Sequence, residues 1–193
     1  MVDNVHYRVR RLEEALQKEG VAPEVAVQIL GDGATLRGDC TPQAQVEWVT
    51  GAMRRMDELL DAPTRQAARL RCACCLGGKR GKLSRTIAHE HATLDERVQA
   101  ANATPFVFGH SVTQTEDGGF VVCFQPEGWE SYRCSCLKGV AEPISITYCY
   151  CCGGHVKHHL QRALGCRLNV EVLSSALASA GRERCSFLLR PAE

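Results

Sequence analysis

Apolar residues in the first half of the chain recur at helical spacing. Val5, Val9, Leu12 and Leu16 share one face, so residues 4 to 18 are expected to form an amphipathic helix stopped at Gly20. Pro23 opens a shorter helix ending near Gly31. Thr41-Pro42 is a helix start, with Thr41 as cap and Pro42 in the first turn. From there Val46, Val49, Met53, Met56 and Leu60 mark one face as far as Asp61. Pro63 restarts a helix that runs to Leu76, placing Cys72 and Cys75 on one face. Gly77-Gly78 breaks it, and residues 82 to about 101 resume helical character.

Near Pro105 the period changes from helical to two. Phe106, Phe108, His110 and Val112 alternate, Glu116-Asp117-Gly118-Gly119 turns the chain, and Phe120, Val122 and Phe124 alternate again. That is a hairpin, with His110 expected on the core face. Residues 126–143 read as a loop, and Ile144, Ile146, Tyr148 and Tyr150 as a further strand. Gly153-Gly154 then opens a helix to about Leu164, stopped by Gly165. Strands are expected at Leu168, Val170 and Val172 and at Cys185, Phe187 and Leu189. The fold class is therefore α+β: a helical region over residues 1–103 and an antiparallel sheet with a packed helix over residues 104–193, forming one compact unit.

Composition changes the picture in one respect. Twelve of the 193 residues are cysteine, and eight fall in three clusters: Cys72-Ala73-Cys74-Cys75, Cys134-Ser135-Cys136 and Cys149-Tyr150-Cys151-Cys152. The first and third share the pattern C-x-C-C, and both run on to a Gly-Gly pair and a basic stretch. A net charge of +1 gives no electrostatic case for nucleic acid or an anionic membrane, and no apolar run reaches membrane-spanning length. The N-terminus has no apolar signal-peptide core, so a reducing cytosol is the expected compartment. A disulfide framework is then disfavoured.

Thiolates in C-x-x-C pairs aim two sulfurs at one ion, which suits zinc or an iron–sulfur cluster. The candidate ligands are Cys72, Cys75, Cys134, Cys136, Cys149 and Cys152, with Cys74 and Cys151 as secondary candidates. Cys151 and Cys152 sit where a helix begins, and its dipole favours thiolate. That serves a ligand or a nucleophile equally. His155 stands nearest the cysteines and could add a nitrogen ligand or a base. His158 and His159 read as solvated. Cys40, Cys123, Cys166 and Cys185 read as small buried apolar residues.

From Tyr148-Cys149-Tyr150-Cys151-Cys152-Gly153-Gly154-His155, through Leu168-Asn169-Val170-Glu171-Val172, to Gly181 and Cys185-Ser186-Phe187, the chain resembles the C-terminal half of 4-vinyl reductase-type small-molecule-binding domains. That resemblance implies an α+β fold, a ligand pocket and, in some members, a cysteine-bound metal. With Cys134 and Cys136 upstream, the chain is also similar to a cysteine-rich bacterial family. Some of its members are labelled 2-aminothiazoline-4-carboxylate hydrolase, which implies opening of a small sulfur heterocycle.

Two functions follow as expectations. One is a cytosolic metal-thiolate protein, holding zinc or an iron–sulfur cluster, whose small-molecule pocket serves a sensory or regulatory role. The other is a metal- or cysteine-dependent hydrolase of a small cyclic amide or amidine. Exposed faces of the N-terminal helices are available to a homodimer.

Overall fold

Helix α1 (Tyr7–Lys18) buries Val9, Leu12, Ala15 and Leu16, the stripe expected from the sequence. The structure, a computed structural model, describes residues 4–192. Helix α2 (Pro23–Leu30) ends at Gly31, and α3 (Pro42–Leu59) starts where Thr41 Oγ1 accepts the Ala44 amide at 3.2 Å. Helix α4 (Ala62–Arg71) is capped by Asp61, whose carboxylate accepts the Thr64 amide at 2.7 Å. Helices α5 (Gly78–Glu90) and α6 (Leu94–Asn102) follow, then a single turn, α7 (Pro105–Phe108).

The sheet contains β1 (Ser111–Gln114), β2 (Phe120–Cys123), β3 (Leu168–Ser174) and β4 (Ser186–Pro191), all antiparallel in the order β1-β2-β4-β3. One row crosses it from edge to edge. Val112 pairs with Val122, Val122 with Phe187, and Phe187 with Val172, and all four are buried. On the β1 edge Asn102 takes the place of a neighbouring strand. Its side chain accepts the Val112 amide at 2.7 Å and donates to the Val112 carbonyl at 2.8 Å.

Helix α8 (Tyr150–Leu164) joins the two halves. It packs on α4 and α5 on one side and on β3 on the other. Its buried Val156, Leu160, Ala163 and Leu164 enter one hydrophobic cluster with Leu12, Met53 and Phe187. Among the described residues no helix is long and apolar enough to cross a membrane.

Several local expectations are overturned. Residues 82–101 do not form one helix: Thr93 and Glu96 form a capping box that starts α6 afresh. Residues 106–110 are not strand. They form α7 and its exit, so His110 is exposed rather than on the core face. Ile146–Cys149 is a 3-10 turn leading directly into α8, which places Gly153-Gly154 inside the helix rather than at its start. Helix α4 stops at Arg71, so Cys72 and Cys75 do not share a helix face. The sequence carries no stop signal there. The cause is tertiary: α8 crosses the end of α4 at Gly154, where an added Cβ would lie 2.4 Å from the Leu70 carbonyl oxygen and 2.9 Å from the Ala73 side chain.

Candidate thiol site

Three segments meet at the N-terminal end of α8. One is the loop Cys72–Leu76 leaving α4, one is the loop carrying Cys134 and Cys136, and one is the first turn of α8 itself. Gly154 lets the first segment lie against the helix. The second is pinned by the Tyr132 amide, which donates to the Gly181 carbonyl at 2.9 Å, and by buried Leu137 and Ile144. Arg8 of α1 donates to the Cys136 carbonyl from the opposite side.

Cys136 is the centre of the arrangement. Its Sγ lies 3.7 Å from Cys152 Sγ, and the Cys74 and Cys134 thiols are near enough to couple to its ionisation. The Cys136 amide donates to Cys134 Sγ at 3.3 Å, which fixes the C-x-C loop. Cys75 Sγ is 3.8 Å from Cys74 Sγ. The Cys136–Cys152 and Cys74–Cys75 separations match the sulfur–sulfur edge of a tetrahedral zinc–thiolate site, about 3.8 Å for zinc–sulfur bonds of about 2.3 Å. Yet among the described residues no group of three or more His, Cys, Asp or Glu side chains is already arranged to hold a metal ion.

Ionisation is shared across the group. Hydrogen bonding from the Cys136 thiol holds Cys74 well below the usual thiol range, at about 5, against the opposing effect of burial. The same bond lowers Cys134, and with Cys151 it lowers Cys152. Cys136, whose single proton is shared among Cys134, Cys152 and Cys74, is pushed up. Four neighbouring thiols cannot all ionise without a cation among them, so one retains the proton that the others use.

The remaining candidates lie around this centre. Cys151 is buried beside Cys152. Cys149 is buried with its sulfur 2.8 Å from Ser175 Oγ, and burial pushes its thiol up. Cys72 is buried, donates to the Arg11 carbonyl at 3.6 Å, and is likewise raised by burial. Cys75 is exposed, on a left-handed backbone with φ of 61°. His155 does not face sulfur. Its Nδ1 lies 3.3 Å from the Cys74 carbonyl and its Nε2 3.1 Å from that of Val107, so it ties the first cysteine loop to α7.

A pocket of about 300 Å³ opens on the site, with Cys74, Cys136 and Cys152 in its wall and Phe106, Phe124 and Arg80 among its other lining groups. Arg80 stacks over the Phe106 ring at 4.0 Å and donates to the Phe106 carbonyl at 3.2 Å. The volume is at the lower end of small-molecule sites.

Sequence reasoning missed His159. It is fully buried rather than solvated, with Nδ1 2.8 Å from Ser84 Oγ and Nε2 3.1 Å from the Cys75 carbonyl. Its position four residues after His155 was the available signal. What decides its burial is α5, which supplies Ser84.

Fold and site together define a thiol-rich α+β protein whose cysteines converge at the start of a central helix. The chain belongs to the family described as a family of unknown function, DUF6144, which it matches over residues 4–192. No curated protein and no solved structure matches the chain.

Proposed function

We propose that the protein binds a metal through Cys74, Cys134, Cys136 and Cys152 and a small molecule in the adjoining pocket, in a sensory or regulatory role. The observation that carries this reading is the convergence of three segments at Cys136, whose sulfur lies 3.7 Å from that of Cys152 and whose ionisation is coupled to Cys74 and Cys134. Zinc is the first expectation and an iron–sulfur cluster the second, since both take four thiolates. The sulfurs must draw together around the ion, because they are not pre-arranged to hold it. Metal would displace the proton that Cys136 holds, so uptake would release protons. The twelve free thiols accord with a reducing, cytosolic compartment. A pocket walled by ligand cysteines would let a bound molecule alter the metal site, or be altered by it. The resemblance to small-molecule-binding domains of the 4-vinyl reductase type accords with such a pocket.

A hydrolase reading, in which Cys152 attacks a small cyclic amide or amidine such as an aminothiazoline carboxylate, draws on its lowered thiol and its place in the pocket wall. Against it, His155 is engaged with backbone carbonyls and is not placed as a base for Cys152.

Anaerobic purification, elemental analysis and an absorption spectrum test the proposal. Stoichiometric zinc without colour, or iron and sulfide with visible bands, supports it and names the metal. Absence of metal, with no uptake of zinc or iron on reconstitution, overturns it.

A further inference from the structure

On the α1 side of the sulfur cluster, sharing Cys74, Cys136 and Cys151 with the wall of the ligand pocket, a second cavity of about 40 Å³ lies between α1, α3, α4 and the start of α8. It has room for a few waters or one small ion. Three arginines line it: Arg11 exposed at the surface, Arg8 half-buried, and Arg69 only 5% exposed. Arg69 donates from one terminal nitrogen to the Tyr148 carbonyl at 3.1 Å, and its guanidinium lies over the Tyr148 ring at 4.9 Å. Its Nε has no partner. Arg8 reaches Gln45 Oε1 at 3.0 Å and the Cys136 carbonyl, and Arg11 reaches the Ala73 carbonyl at 3.0 Å. Among the described residues, none of the three is within 4.0 Å of a carboxylate, although five other arginines are.

A buried guanidinium without counter-charge is costly, and proteins resolve that cost by pairing the charge. Here no carboxylate serves: the partners are neutral carbonyls, an amide, the ring and hydroxyl of Tyr148 and the Cys72 thiol, with the Cys74 thiol beside Arg11 as a partial counter-charge to three guanidiniums. We infer that this cavity is an anion site taking one small, soft inorganic monoanion of halide size, hydrosulfide included. The size excludes phosphate esters and organic acids. Softness follows from the lining, where four cysteines (Cys72, Cys74, Cys136 and Cys151), Met53 and the Tyr148 ring present polarisable surface. The gradation from exposed Arg11 to buried Arg69 is an electrostatic path inward. Such an ion would sit against the back of the cysteine cluster. The site stands on the arginines, and two of its wall residues, Cys74 and Cys136, are shared with the metal site proposed above.

Bromide is the probe. Crystals of the full chain grown in sodium bromide are expected to show one anomalous peak between Arg8, Arg11 and Arg69. In solution, bromide is expected to raise the thermal midpoint by several degrees over sodium fluoride at equal ionic strength, because a ligand of the native state stabilises it. Arg69→Met should abolish that difference. Arg11→Gln, at an exposed position, should weaken it without affecting folding. No peak, together with equal bromide and fluoride responses in the wild type and in Arg11→Gln, overturns the inference. The counter-charge of Arg69 would then be a cysteine thiolate.

Discussion

A methyl group on Gly154 of α8 would stand 2.4 Å from the carbonyl oxygen of Leu70, at the end of α4. The two helices touch through backbone, and that contact delivers the first cysteine loop to the second. Gly154→Ala is therefore expected to cost ~1–3 kcal/mol from overpacking, and to carry Cys74 away from Cys136. Urea unfolding measures the first effect and metal stoichiometry the second. Unchanged stability would mean that α4 and α8 have room between them.

Cys136 lies 3.7 Å from the Cys152 sulfur and is coupled to Cys74 and Cys134, so its removal should do more than the removal of a peripheral thiol. Cys136→Ser is expected to weaken zinc binding by at least ~100-fold. Cys166→Ser, half-buried and remote from the cluster, should leave it unchanged. Competition against a chromophoric chelator distinguishes the two. Equal affinities would remove Cys136 from the site.

The thiols should also differ in their pH profiles. Cys74, held at about 5 by its bond from Cys136, is expected to be the first site alkylated by iodoacetamide in metal-free protein near neutral pH. Its rate should fall about tenfold per pH unit below that value. Burial pushes Cys185 up to about 11, and that thiol should stay unmodified in the folded state. Mass mapping after short pulses reads both. Bound metal should protect Cys74, and rapid modification of Cys185 in place of Cys74 would contradict this ordering.

His159 couples stability to pH in the direction opposite to a paired histidine. Burial lowers it from 6.5 to about 4, so the unfolded chain binds a proton there that the folded chain does not. Its contribution is complete above about 6.5 and is lost as pH falls from there to about 4. The loss is on the order of 3 kcal/mol. Urea midpoints across that window, for wild type and His159→Gln, isolate the effect. A variant with the same pH slope as the wild type would show that His159 is not its source.

Much of this arrangement was legible in the residue pattern. The α1, α2 and α3 faces, the 111–123 hairpin and the closing strands followed from spacing, because each keeps one regular apolar face buried. The segments misread are those where contact overrode local preference. Phe106 and Phe108 alternate as in a strand, but Pro105 starts a helical turn that buries Phe108 and leaves Phe106 beside Arg80. Tyr148 and Tyr150 alternate likewise, yet both belong to the approach and first turn of α8.

By itself, the sequence determined the α+β class, the cap that begins α3, and the grouping of thiols in three short clusters. These depend on neighbours a few residues apart. Only the tertiary structure decided which sulfurs meet. Cys74, Cys134, Cys136 and Cys152 come together while Cys75 turns outward and Cys149 turns to Ser175. That choice rests on where α8 crosses α4, and no local spacing encodes a contact between Leu70 and Gly154.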